Sequence, residues 1–293
     1  MKLPGLSLAA VLLMGALSCT RSAVVVGSKN FSEQIVLGEI VAQLLEERGV
    51  SVDRKLNLGG SFICHAALES GQMDVYVEYT GTALTAILKQ PVLHDPDEVY
   101  RRVKEEYWER YRLAWGPPLG FNNTYAMAMR SDHAARLQVT RISDLAAHAD
   151  TIRTGFGHEF LERQDGYAQL TEAYDLDFSI APRGMELGLI YEALAADKVD
   201  LIAGNSTDGL IERLGLTVLE DDRRFFPPYD AAPVYRPEAA TTHPALAEVV
   251  ELLGGAIDEP AMRALNRMVD VERRSAFEVA REFLLEQGWV ARP

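Results

Sequence analysis

The sequence predicts an α/β protein folded as a two-lobed, hinged clamshell. Three observations carry that expectation. Strand-like apolar runs alternate with amphipathic helical segments, two Pro-rich passages interrupt the alternation, and the final stretch is helical without strands of its own. Alternation of this kind specifies largely parallel sheets flanked by helices, and two crossings between two lobes is the layout of a hinge. The chain of 293 residues, 48% of them hydrophobic, can form one large or two ordinary domains around a real core.

Val24 to Val26, a β-branched run closed by Gly27, reads as a buried strand. Asn30 and Glu33 then stand at capping-box spacing, and Ile35, Val36, Ile40, Val41, Leu44 and Leu45 recur at helical spacing until Gly49. Val52 to Leu58 leads through a Gly59-Gly60 turn into a helix ending near Leu68, and Met73 to Tyr79 into a helix ending near Leu88. Thr151 to Phe156, Phe178 to Pro182 and Val199 to Ala203 read as further strands, each followed by a helix. GPPLGFNN before TYAMAMRSD marks one crossing, and RRFFPPYDAAPVYRP marks the other. The lobes are therefore expected at 23–125 with 227–293, and at 126–226 as an insertion.

The opening residues 1–19 read as an export signal: Lys2 precedes an apolar run, Leu6 to Leu17, that is short for a bilayer span. Ala16-Leu17-Ser18-Cys19 has the form of a bacterial lipobox, so Cys19 is the candidate lipidation site, against an ordinary signal cut slightly downstream. A lipidated Cys19 would place the protein at the outer face of the cell membrane; the alternative leaves it free in the periplasm. Cys64 is then the remaining cysteine, with no partner for an intramolecular disulfide, and its apolar helical setting predicts a core residue.

A formal net charge of -14 argues against nucleic acid as a partner. The six histidines are scattered, so no metal or cofactor is expected. Neither GNSTDG nor HEF has the spacing of a hydrolase or zinc-protease motif. Lys29 alone is odd: it sits beside a helix N-terminus, where free N–H groups already favour an anion. On local grounds it is a solvated loop lysine.

GSKNFSEQ, NLGGSFICHAALESGQMDVYVEYTGTAL, FNNTYAMAM, HEFLERQDGY and NSTDGLIERLGL followed by FFPPYDAAPV together resemble the substrate-binding proteins of the glycine betaine/choline/carnitine class of ABC importers. The resemblance spans essentially the whole chain after the leader. It implies a type II periplasmic-binding-protein fold, a quaternary ammonium ligand, an ABC permease with its ATPase as partners, and no enzymatic activity. It places the aromatic cage at Tyr79, Tyr125 and Tyr229, and the groups holding the ligand's carboxylate at Lys29, Thr82 and Arg163. A trimethylammonium group has no N–H to donate, so aromatic faces suit it, each close face contributing roughly 0.5–2 kcal/mol. Arg holds a carboxylate by parallel hydrogen bonds, and Lys supplies a point charge. Many members of the family carry an aromatic residue where this chain has Asn205, which suggests a larger or more polar betaine. Alternatively Asn205 caps a helix beginning near Thr207, and Tyr235 or Trp115 completes the cage. Two rival readings are a receptor of the same fold for an unrelated solute, such as an amino acid, and a periplasmic enzyme using the cleft.

Overall fold

The computed structural model describes residues 23–291, so the leader and Cys19 lie outside the described residues. Ten strands form two five-stranded sheets. They are β1 (Val24–Lys29), β2 (Val52–Gly59), β3 (Val75–Tyr79), β4 (Ala114–Trp115), β5 (Tyr125–Arg130), β6 (Thr154–Gly157), β7 (Arg183–Met185), β8 (Leu201–Asn205), β9 (Leu216–Val218) and β10 (Ala231–Tyr235). The sheet of the first lobe has the order β2-β1-β3-β10-β4, and that of the second β7-β6-β8-β5-β9.

Each sheet is mixed rather than largely parallel, and the hinge is the reason. Within each lobe three strands run parallel, β2-β1-β3 in one and β7-β6-β8 in the other. The fourth strand of each sheet arrives from the other lobe and is antiparallel to its neighbour, with Ala231 opposite Tyr79 and Tyr125 opposite Asn205. The parallel strands thus end where the crossing strands begin, so both sheets present chain ends to one boundary. In open α/β sheets ligands lie outside the carboxyl ends of the strands.

Two local readings are corrected. The strand expected at Phe178 to Pro182 forms instead at Arg183–Met185, because Pro182 has no N–H for a ladder and the strand starts after it. The helix after β1, α1 (Ser32–Glu47), begins at Phe31 without a side-chain cap, so Asn30 and Glu33 form no capping box. Glu33 is used elsewhere, as described below.

The first lobe is organised around α1. Val36, Leu37, Ile40, Val41, Leu44 and Leu45 are all buried. One side of the helix packs on β1 and β2, and the other is covered by the C-terminal helices Pro244–Leu252, Glu259–Asp270 and Ala276–Glu286. A helix covered on both sides must be apolar nearly all round. Two of its buried polar residues find distant partners: Gln43 donates to the Phe277 carbonyl at 3.0 Å, and Glu39 accepts from Arg54 Nε at 3.2 Å. Cys64 is fully buried, in line with its sequence setting. Among the described residues no helix is long and apolar enough to cross a membrane. Leu44→Ala is expected to cost about 2–5 kcal/mol, read as a lowered urea midpoint with an unchanged slope.

Candidate functional site

A cavity of 340 Å³ lies at the boundary where the strand ends of both sheets meet. Lys29, Thr82, Arg163, Asn205, Tyr79, Tyr125 and Tyr229 all line it. Lys29 and Tyr79 end β1 and β3, Asn205 ends β8, and Tyr125 starts β5. Thr82 closes the short helix Thr80–Thr82 that follows β3, and Arg163 follows the helix His158–Glu162. Topology alone therefore gathers residues that are up to 200 positions apart (Tyr229 less Lys29).

Both basic side chains carry carboxylates of their own. Lys29, 4% exposed, pairs with Glu78, which also accepts from Tyr76 Oη at 3.1 Å and from the Tyr79 amide at 2.6 Å. The Lys29 ammonium stands 4.7 Å from the Tyr79 ring centroid. A lysine beside a helix start does find an anion, and the protein supplies it. Arg163 is held along its Nε–Nη2 edge by both carboxylate oxygens of Asp165, with Nε to Oδ1 at 2.8 Å, and it lies 5.5 Å from the Tyr125 ring centroid. Burial disfavours the Asp165 carboxylate, but the charge and hydrogen bonds of Arg163, with the Tyr229 hydroxyl, outweigh it and hold its pKa below the usual range.

Arg163 Nη1 also donates to Thr82 Oγ1 at 3.2 Å, across the lobe boundary. A guanidinium has five N–H groups, and three are used here, so two remain. Thr82 accepts from Arg163, which frees its own hydroxyl proton to donate. The cavity thus offers a carboxylate a convergent set of donors, although the internal ion pairs neutralise its full charges.

The rings form two groups. Tyr125 meets Phe160 at 4.8 Å, Phe226 at 5.4 Å and Tyr229 at 5.7 Å between centroids, while Phe31 stacks on Tyr79 at 6.4 Å. Phe31, Phe62 and Phe160 line the cavity and were not named from the sequence, although each lies inside a quoted motif. Trp115 and Tyr235 do not line it: Trp115 packs edge-on against Tyr107 in the first lobe, and Tyr235 pairs with Val75 and Ala114. Asn205 does not cap the next helix. That helix, Gly209–Arg213, starts at Asp208, and the Asn205 amide donates to Asp208 Oδ2 at 3.0 Å.

Residues 22–286 match the family described as the substrate binding domain of ABC-type glycine betaine transport systems. The chain belongs to this family. It is similar to a glycine-betaine-binding protein of Pseudomonas aeruginosa, with 38% identity over 89% of this chain and 86% of the relative. It is similar to a carnitine transport binding protein of Listeria monocytogenes, with 33% identity over 94% and 91%. An ergothioneine transport permease/ergothioneine binding protein of Helicobacter pylori is 36% identical over 90% of this chain, which spans 47% of that relative's length. A crystal structure of a glycine betaine/carnitine/choline ABC transporter protein superposes with a TM-score of 0.73 at 32% identity, covering 91% of this chain and 99% of that one. A choline-binding protein in complex with choline shares the fold, with a TM-score of 0.68 at 12% identity over 91% and 89%. The chain is a two-lobed substrate-binding protein of an ABC importer, built as a clamshell with two hinge crossings.

Two predictions follow from the buried charges of this family member. Lys29→Met leaves Glu78 buried and unpaired, with an expected cost of about 3–5 kcal/mol, and Glu78→Gln in the same chain should restore much of it. Urea titration of the single and double variants checks this, and wild-type stability in Lys29→Met would contradict it. The second concerns Asp208, whose pKa burial pushes up to about 7; the charges of Asp270 and Glu33 add to the shift, while the Tyr191 hydroxyl and the Asn205 amide oppose it. The folded chain then holds a proton that the unfolded chain releases, so stability falls as pH rises between about 4 and 7. Asp208→Asn should melt higher than wild type near pH 8, by a margin that shrinks steadily on acidification and vanishes by about pH 4.

Proposed function

We propose that this protein captures a quaternary ammonium compound of the glycine betaine, choline or carnitine type between its lobes and delivers it to an ABC permease with its ATPase. The observation that carries this reading is the 340 Å³ interlobe cavity with rings along its walls and two unused N–H groups of Arg163 beside the Thr82 hydroxyl. The ammonium head packs against Tyr79, Tyr125 and Tyr229, with Phe31, Phe62 and Phe160 widening the apolar wall. The carboxylate takes donors from Arg163 and Thr82, and Lys29 adds its charge from behind Tyr79. No covalent step is involved; ligand bridging both lobes favours the closed form, which the permease reads.

Asn205 supports a ligand with a polar body. It lines the cavity at a position where many members of the family carry a ring, and its side-chain amide can both donate and accept. Carnitine carries a hydroxyl and ergothioneine a ring N–H, and both names occur among the relatives. Lipidation at Cys19 would hold the receptor at the outer membrane face of the cell, beside its permease.

Thermal shift with choline, carnitine, glycine betaine, proline betaine and ergothioneine tests the reading, since a bound ligand raises the midpoint by mass action. At least one of them should stabilise the protein, and no shift with any would overturn the assignment. Thr82→Val should weaken the carboxylate-bearing ligands about tenfold, on the order of 1.4 kcal/mol, and choline much less. Equal losses for both would return Thr82 to a structural role.

A further inference from the structure

We infer that Glu33 is a positioning residue that couples the cage ring Tyr79 to closure of the two lobes. Glu33 lies in the first turn of α1 and is 2% exposed. Its Oε1 accepts from Tyr79 Oη at 2.6 Å and from Asn123 Nδ2 at 2.8 Å. Its Oε2 accepts from the Thr207 hydroxyl and from Asn266 Nδ2 at 2.8 Å. Four donors fill the sites of one carboxylate, and they come from different parts of the fold. Tyr79 and Asn266 belong to the first lobe, Asn123 to the segment crossing between lobes, and Thr207 to the second lobe just after β8.

The same residues clamp the Thr207 backbone. Its amide donates to Asn123 Oδ1 at 3.4 Å, and its carbonyl accepts from Asn266 Nδ2 at 3.0 Å. Thr207 is therefore held on its amide, its carbonyl and its hydroxyl by groups outside its own lobe. When the lobes separate, Glu33 loses the Thr207 donor and must take water in its place, so the arrangement is complete in the closed form only. Tyr79 Oη already donates to Glu33, so a ligand packed on the Tyr79 ring holds that ring in place and favours the same carboxylate arrangement that Thr207 serves. Ligand and closure thus share one acceptor, and the effect is reciprocal: a closed lobe fixes Tyr79 for the ligand.

The inference rests on Tyr79 as a wall of the ligand cage, and the test separates the two ideas. Tyr79→Phe keeps the ring and removes the hydroxyl, Thr207→Val keeps the shape and removes the cross-lobe donor, and Thr207→Ser keeps the donor as a control. For each variant and the double variant, small-angle scattering without added ligand reports the radius of gyration, and calorimetric titration with choline and with glycine betaine reports affinity. Both single substitutions should weaken binding by about threefold or more, with the double variant little weaker than the worse single one, because contacts to one shared group are not additive. Thr207→Val should also expand the ligand-free protein, and Thr207→Ser should match wild type in both readouts. A double variant whose loss equals the product of the single losses overturns the coupling, as does Thr207→Val with wild-type affinity. If neither compound binds wild type, the titrations use whichever of carnitine, proline betaine or ergothioneine does; if none of the five binds, the ligand assignment fails and scattering decides the coupling: expansion in both single variants sustains it, and an unchanged radius in Thr207→Val overturns it.

Discussion

A charge placed between two protein lobes loses its water, and it must then be answered by an opposite charge or a full set of hydrogen bonds. That requirement organises the boundary of this clamshell. Lys29 is answered by Glu78, Arg163 by Asp165, and Glu33 by four donors. Each arrangement also holds a ring of the cavity: Glu78 bonds the Tyr79 amide, Asp165 the Tyr229 hydroxyl and Glu33 the Tyr79 hydroxyl. The polar groups beneath the cavity thus orient the aromatic groups that face it.

The same requirement bears on ligand choice. With both cations already paired, the cavity has no bare positive charge with which to attract an anion from afar. The remaining N–H groups of Arg163 and the Thr82 hydroxyl act only over hydrogen-bond distances, so recognition of a carboxylate by them would be directional. Cation recognition by ring faces is less directional, which suits a family whose similar members are named for glycine betaine, carnitine and choline. Asn205 is the lining position at which this chain is most expected to set its own preference.

Much of this was legible in the sequence, because it is recorded locally. Strand and helix periods and the two Pro-rich crossings are patterns within short windows, and the motifs carried the seven lining residues. Failures occurred where a local pattern competed with a distant partner. Asn30 and Glu33 have capping-box spacing, but Glu33 is drawn into bonds with Asn123, Thr207 and Asn266, which lie far along the chain. Asn205 stands before a helix in sequence, yet the N-terminal boundary position is Asp208, whose carboxylate accepts from the Asn205 backbone N–H. Phe160 lies in the motif that supplied Arg163, but a phenylalanine carries no polar signal to separate a cavity wall from a core ring.

The sequence by itself determined the family, the α/β class and the residue types at the cavity, since these depend on composition, period and motif order. Only the tertiary structure decided which charges are already paired. Glu78 is a single acidic residue in an apolar run, and Asp165 reads as a loop acid. The Lys29–Glu78 pair arises when β1 lies beside β3, whereas Arg163 and Asp165 are near neighbours to which the fold adds burial and the Tyr229 hydroxyl. Desolvation and Coulomb energy are set by distance and by burial, and neither quantity is encoded in any short window of sequence.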